Sequence, residues 1–238
     1  MSEHKGPYTG IMGKWRVLKG NYRLTTEISN LAAAFQREFL IGKYDNEIIT
    51  PLQMELLLGE GTIGYIYKEE GGANEVEKYI GKMIIKWNVH QNDICVIDDR
   101  FEELRIIDKK LRDDNIRTST VFETLEQYEE ILNKKMGKEY LNKTLRRIRR
   151  SKKFNFRMNT GKMKLCSIHS FKGWEITNLI LVLHDDKDNP YAKEDVFPEL
   201  IYTAITRCRK HLLIVNLGCK KYHDFFSRET RDLAEFIR

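Results

Sequence analysis

Lys164-Leu165-Cys166-Ser167-Ile168, Leu179-Ile180-Leu181-Val182-Leu183 and His211-Leu212-Leu213-Ile214-Val215 are three short apolar runs set among polar turns and a helical pattern. Runs of this length, apolar almost throughout, mark strands covered on both faces, which is the habit of a parallel sheet. The helix between the last two is predicted over Glu199 to Lys210, and a closing helix over Tyr222 to Ile237. Further upstream the alternation repeats. Ile94-Cys95-Val96-Ile97, bounded by Asp93 and Asp98, reads as another buried strand. It is followed by a helix through Phe101, Leu104 and Leu111 and a strand near Thr118-Ser119-Thr120-Val121. Thr62 to Tyr67 predicts a strand, and Val76, Ile80, Met83, Ile84 and Trp87 share one helical face. Before them, Trp15 to Leu18 predicts a strand. A helix starting near Thr25 or Thr26 would bury Ile28, Leu31, Ala32, Phe35 and Phe39, and either threonine could cap it. Strands alternating with helices predict an α/β domain, a mostly parallel sheet between two helical layers. Residues 1–13 are glycine-rich without periodicity and read as a flexible leader, leaving one domain over 14–238.

With 238 residues, 41% hydrophobic and 32% charged, the chain has the composition of an ordinary globular protein. No apolar run approaches the roughly 20 residues of a membrane span, and the first residues lack a secretory core, so the cytoplasm is the expected compartment. Four cysteines fit that compartment. Cys95 and Cys166 fall in strand-like runs, Cys208 in the predicted helix and Cys219 after a strand, with no C-x-x-C pair, so free buried thiols are expected and no metal site. His184-Asp185-Asp186 follows a strand and opens a polar stretch, which reads as a solvated turn. The net charge of +6 is mild, but it is unevenly spread. Residues 124–150 predict one or two helices, part of a basic helical insertion near 124–160. From Lys134 to Arg157, Lys134, Lys135, Lys138, Lys143, Arg146, Arg147, Arg149, Arg150, Lys152, Lys153 and Arg157 face one acid, Glu139. Such a block attracts polyanions or forms a solvated connector, and composition leaves both open. Phe154 and Phe156 among these cations add rings that could stack on bases.

Three segments carry chemistry. Asn21-Tyr22-Arg23 precedes a helix. Ser167-Ile168-His169-Ser170-Phe171-Lys172-Gly173-Trp174-Glu175 links two strands, and Ile201-Tyr202-Thr203-Ala204-Ile205-Thr206-Arg207 ends in an arginine. An aromatic ring can stack on a base, arginines offer bidentate contacts to phosphate, and a carboxylate can accept from a sugar hydroxyl. In an open parallel sheet ligands gather where loops leave the carboxyl ends of strands, and the first two segments are expected in such loops. In this order the three segments resemble motifs IV, V and VI of superfamily 1 DNA helicases of the UvrD/Rep type. The similarity extends over roughly residues 15–217. Trp174 and Cys208 stand where leucine and alanine are common in the family, and only about forty residues stand where the family carries a large accessory domain.

The resemblance implies a second RecA-like domain. In that family ATP lies between two such domains, the first carrying the phosphate loop and the Mg²⁺-binding acids. By resemblance Arg23 and Arg207 are the catalytic arginines that reach the γ-phosphate, Tyr22 stacks on adenine, Glu175 meets the ribose and Gly173 gives close backbone approach. His169 and Ser170 would contact single-stranded DNA, with Lys172 divided between DNA contact and loop structure. This chain contains no G-x-x-x-x-G-K-[ST]. Gly59-Glu60-Gly61-Thr62-Ile63-Gly64 comes nearest, with Tyr65 where lysine belongs. The phosphates and Mg²⁺ thus lack their primary ligands, and the chain alone is expected to hydrolyse ATP negligibly. The expectation is a P-loop NTPase fold without the P-loop, one lobe of a motor whose N-terminal RecA-like partner domain lies elsewhere. A catalytically silent module binding nucleic acid or a partner protein is the alternative, and an RNA-directed helicase ranks below both.

Overall fold

The computed structural model describes residues 24–40, 60–135, 137–184 and 197–230. Asn21, Tyr22, Arg23, the strand expected at Trp15 and the end of the closing helix lie outside them. Six strands form one sheet in the order β1-β6-β5-β2-β4-β3: β1 Thr62–Lys68, β2 Ile94–Ile97, β3 Thr118–Thr120, β4 Met163–Cys166, β5 Ile176–His184 and β6 Cys208–Leu217. All neighbouring pairs are parallel, so among the described residues the sheet is wholly parallel where a mostly parallel one was expected. β2 and β4 are buried at every position, as strands covered on both faces must be.

Eight α-helices lie among the described residues: α1 Thr26–Phe39, α2 Ala73–Trp87, α3 Phe101–Asp113, α4 Leu125–Asn133, α5 Lys138–Asn155, α6 Ile168–Phe171, α7 Phe197–Ile205 and α8 His223–Glu229. α2 packs on α3 in one layer, while α7 touches both α1 and α6 in the other. The split follows from handedness. Right-handed crossovers put connections that step one way along the sheet on one face and those stepping back on the other. This is the three-layer α/β architecture read from the sequence, consistent with a RecA-like domain. Phe35, Phe39, Tyr222, Phe225 and Phe226 pack ring on ring where α1 meets α8, with centroids 4.7–5.9 Å apart.

Three expectations change. The helix over Glu199 to Lys210 ends at Ile205. Thr206 Oγ1 donates to Tyr202 O and Thr203 O, and Cys208 pairs in register with Ile176. Strand pairing therefore takes Cys208–Lys210 from the helix, and Cys208 is a strand residue; all four cysteines are free and buried. The basic region forms two helices, of which α5 is fastened to the body. Arg149 donates through Nε and Nη2 to buried Glu123 and lies 4.2 Å over the Phe101 ring, while Lys152 donates to Thr120 Oγ1. Phe156 is buried, edge-on to Trp174, so it belongs to the core and not to a stacking surface. His184, finally, is no solvated turn residue. It closes β5 with 3% exposure.

Buried Lys164 on β4 donates to Asn92 O, Asn92 Oδ1 and Lys162 O, fixing the turn that feeds β2. No helix among the described residues is long and apolar enough to cross a membrane.

Candidate functional site

The sheet has two edges, and the residues singled out by sequence divide between them. At the amino edge β5 and β6 begin side by side, with Ile176 N donating to Arg207 O. This brings Glu175 and Arg207 together: Arg207 Nη1 lies 4.0 Å from Glu175 Oε1, with side chains 24% and 31% exposed. At that distance the contact is a loose ion pair without a short hydrogen bond. Arg207 Nε is buried with no hydrogen-bond partner. The guanidinium is held in place with its Nε enclosed and unsatisfied, as is that of Arg209. Two residues before Glu175, Gly173 turns the chain at φ +97°, and a Cβ placed there would meet nothing within 4 Å. Only glycine takes that conformation without strain, so a bare and open stretch of backbone lies beside the pair.

The first turn of α1 reaches the same edge, where Glu27 Oε2 accepts from Gly61 N just ahead of β1. Tyr22 and Arg23 precede this helix in sequence and lie outside the described residues. Gly61 leads into a strand, the reverse of a phosphate loop, which leaves one.

His169 and Ser170 sit at the opposite edge, on the short α6 that follows β4. Ser167 caps that helix, its Oγ accepting from Ser170 N and donating to Ser170 Oγ. His169 and Lys172 are exposed. The loop therefore does not sit wholly at the carboxyl ends of strands, as expected. It starts there at Ser167 and crosses the sheet to reach Glu175 at the amino edge. The reason is topological: β4 and β5 are both parallel to β2 and flank it, so the connection must return to the start of the sheet.

A third grouping went unforeseen. Asp98 and Asp99 follow β2, His184 ends the adjacent β5, and one ligand atom from each lies within 4.8 Å of the others. His184 Nε2 is 2.9 and 3.1 Å from the Asp98 carboxylate oxygens, and Arg100 N donates to Asp98 Oδ1. Both oxygens of Asp99 are buried without a hydrogen-bond partner. Burial, then the neighbouring Asp98, raises its pKa to about 6, with His184 opposing. The signal was present in sequence as acids and a histidine at the ends of apolar strands, but nothing local joins residues 86 apart.

The exposed face of α5 forms a surface of another kind. Lys143, Arg146, Arg147, Arg150, Lys153 and Phe154 are exposed at i, i+3, i+4, i+7, i+10 and i+11, a single stripe on the helix. Phe154 is 75% exposed. Two clefts of about 340 and 530 Å³ lie beside β3, lined in part by Arg112, Thr118 and Lys162, and contain none of the motif residues.

No family model matches the chain, and no curated protein does. Among solved structures the chain is similar to the C-terminal domain of a possible DNA helicase from Lactobacillus plantarum WCFS1. The TM-score is 0.45 and the identity 14%, covering 84% of this chain and 89% of that one.

Proposed function

We propose that this chain is the second lobe of an ATP-dependent DNA helicase or translocase of the UvrD/Rep type, working against a first lobe that carries the phosphate loop. The observation that carries this reading is the state of Arg207: held beside Glu175 at the amino edge, yet with Nε unpartnered and only a 4.0 Å contact at Nη1. Arg149, which fastens α5 to the body, by contrast spends its donors on Glu123.

In this reading Arg207, together with Arg23, reaches the γ-phosphate of ATP and stabilises charge on the transferring phosphoryl group. Tyr22 stacks on the adenine. Glu175 accepts from a ribose hydroxyl, and Gly173 lets the backbone approach. ATP brings the phosphoryl group and Mg²⁺ neutralises it, with the Mg²⁺ ligands on the first lobe. His169, Ser170 and Lys172 contact single-stranded DNA at the other edge. A single crossover, Ser167 to Glu175, would then tie the DNA track to the nucleotide. Its shortness supports coupling, because movement at one end has little chain in which to dissipate.

The test is ATP turnover by the native polypeptide that contains this chain, with and without single-stranded DNA, compared with its Arg207→Ala variant. Turnover should fall about 10³-fold or more while single-strand affinity stays nearly unchanged. Undiminished turnover, or equal loss of binding and turnover, would remove Arg207 from the phosphate site.

The stripe on α5 favours a second reading, a silent module that binds nucleic acid through Lys143, Arg146, Arg147, Arg150 and Lys153 with Phe154 as a stacking ring. That module would bind single strands equally well with alanine at position 207 and turn over no ATP in any context.

A further inference from the structure

We infer that Asp98, Asp99 and His184 form a binding site for one first-row divalent cation of the Mn²⁺ or Zn²⁺ kind, at the carboxyl edge of β2 and β5. The site lies at the same carboxyl edge as His169 and Ser170, with Asp98 N donating to Cys166 O at the end of β4, but the inference does not depend on the proposed function. Three observations converge on it.

The donor atoms come from two adjacent strands and are already gathered. Ligands about 2.0–2.2 Å from a tetrahedral ion stand about 3.3–3.6 Å apart around it. A set lying within 4.8 Å therefore needs to draw together by about 1 Å, which side-chain rotation supplies.

The second observation is an unmet demand. Asp98, Asp99 and His184 are 0%, 8% and 3% exposed. Asp98 is satisfied by His184 and by Arg100 N. Asp99 is not: neither oxygen has a hydrogen bond of normal geometry, its nearest polar neighbours being its own backbone N–H and Asp98, and no arginine or lysine pairs with it among the described residues. Its contact with Asp98 becomes a hydrogen bond only when one of the two carboxyls is protonated. Buried carboxylates are paired, protonated or bound to metal. Two side by side, with one imidazole, form a cation site in charge as well as in shape.

The third is position. The chain leaving β2 enters α3 on one face of the sheet, and after β5 the next described helix, α7, lies on the other. At such a switch point the connections diverge and leave a crevice at the carboxyl ends, where open parallel sheets hold their ligands.

The donor set selects the ion. Imidazole with two carboxylates suits Mn²⁺, Fe²⁺ or Zn²⁺, whereas Mg²⁺ and Ca²⁺ prefer oxygen alone. Three protein ligands also leave a coordination position for water or a ligand oxygen.

Isothermal titration of the full chain with MnCl₂, ZnCl₂ and MgCl₂ at neutral pH tests this, with thermal unfolding in EDTA as the control for folding. One Mn²⁺ or Zn²⁺ should bind per chain and raise the melting temperature, and Mg²⁺ should bind at least tenfold more weakly. Asp99→Asn, which keeps the shape and removes the charge, should weaken Mn²⁺ and Zn²⁺ at least tenfold without lowering the melting temperature in EDTA. His184→Asn should also weaken both. If His184→Asn fails to fold, the Asp99→Asn and wild-type titrations decide alone. No saturable binding to the wild type would overturn the inference, as would undiminished binding to Asp99→Asn.

Discussion

Glu123 and Asp99 are both buried carboxylates just past the carboxyl end of a strand, and they are held in opposite ways. Glu123 follows β3 and accepts from Arg105 Nη1 and from Arg149 Nε and Nη2. Burial alone would raise its pKa, but the Arg149 hydrogen bonds and the charges of Arg149 and Arg105 outweigh burial and hold it below the usual carboxylate range. Asp99 has no such partner, and burial beside Asp98 raises it to about 6. The difference separates architecture from site. Glu123 has used its charge to fasten α5 to α3, whereas the charge of Asp99 is still to be met. The same distinction holds among the arginines, between Arg149 with its donors engaged and Arg207 with Nε unpartnered.

That contrast can be broken most sharply at Glu123. Glu123→Ala leaves Arg105, 2% exposed, without its buried carboxylate and should destabilise the fold by about 3–5 kcal/mol. Asp99→Asn, also a change of a buried carboxylate, should by contrast leave metal-free stability level or slightly higher. Denaturant unfolding of the two variants side by side measures both. Equal losses would mean that both carboxylates are structural.

A smaller effect comes from acid. His211 on β6 stacks on Trp87 with centroids 4.9 Å apart, and burial, then Lys210, pushes its pKa down to about 4. In the unfolded chain the imidazole takes up its proton near pH 6.5; in the folded chain it does so only near 4. The unfolded state thus binds more protons in that window, so stability present above pH 6.5 is lost as pH falls towards 4. The loss should reach at most about 1.4 kcal/mol per pH unit. His211→Gln should flatten this part of the profile, and an unchanged profile would assign the acid sensitivity elsewhere.

Much of the sheet was legible because its strands are short, apolar and separated by amphipathic helices. The apolar stripe Ile28, Leu31, Ala32, Phe35 also faces the core as its spacing predicts. The pairing of Glu175 with Arg207 could be anticipated only through motif resemblance; no local pattern joins them. Where the reading failed, tertiary contacts had decided the outcome. Cys208–Lys210 look helical until Ile176 offers a strand to pair with. Arg149, Lys152 and Phe156 look like members of a basic, stacking surface until Glu123, Thr120 and Trp174 claim them. His184 looks like the start of a polar turn, because its partner Asp98 is 86 residues away. The segment from His169 to Glu175 was expected in a loop at the carboxyl ends, yet the crossover from β4 to β5 had to carry Glu175 back to the amino edge.

The central claim is that this chain is one lobe of a two-lobed motor, and the size of the native polypeptide tests it most directly. An antibody against the described domain should detect, in the source cells, a polypeptide far larger than the 28.2 kDa of this chain. It should also contain a phosphate loop ahead of residue 1. A native polypeptide of 28.2 kDa would contradict the claim and leave the binding module on α5 as the working surface.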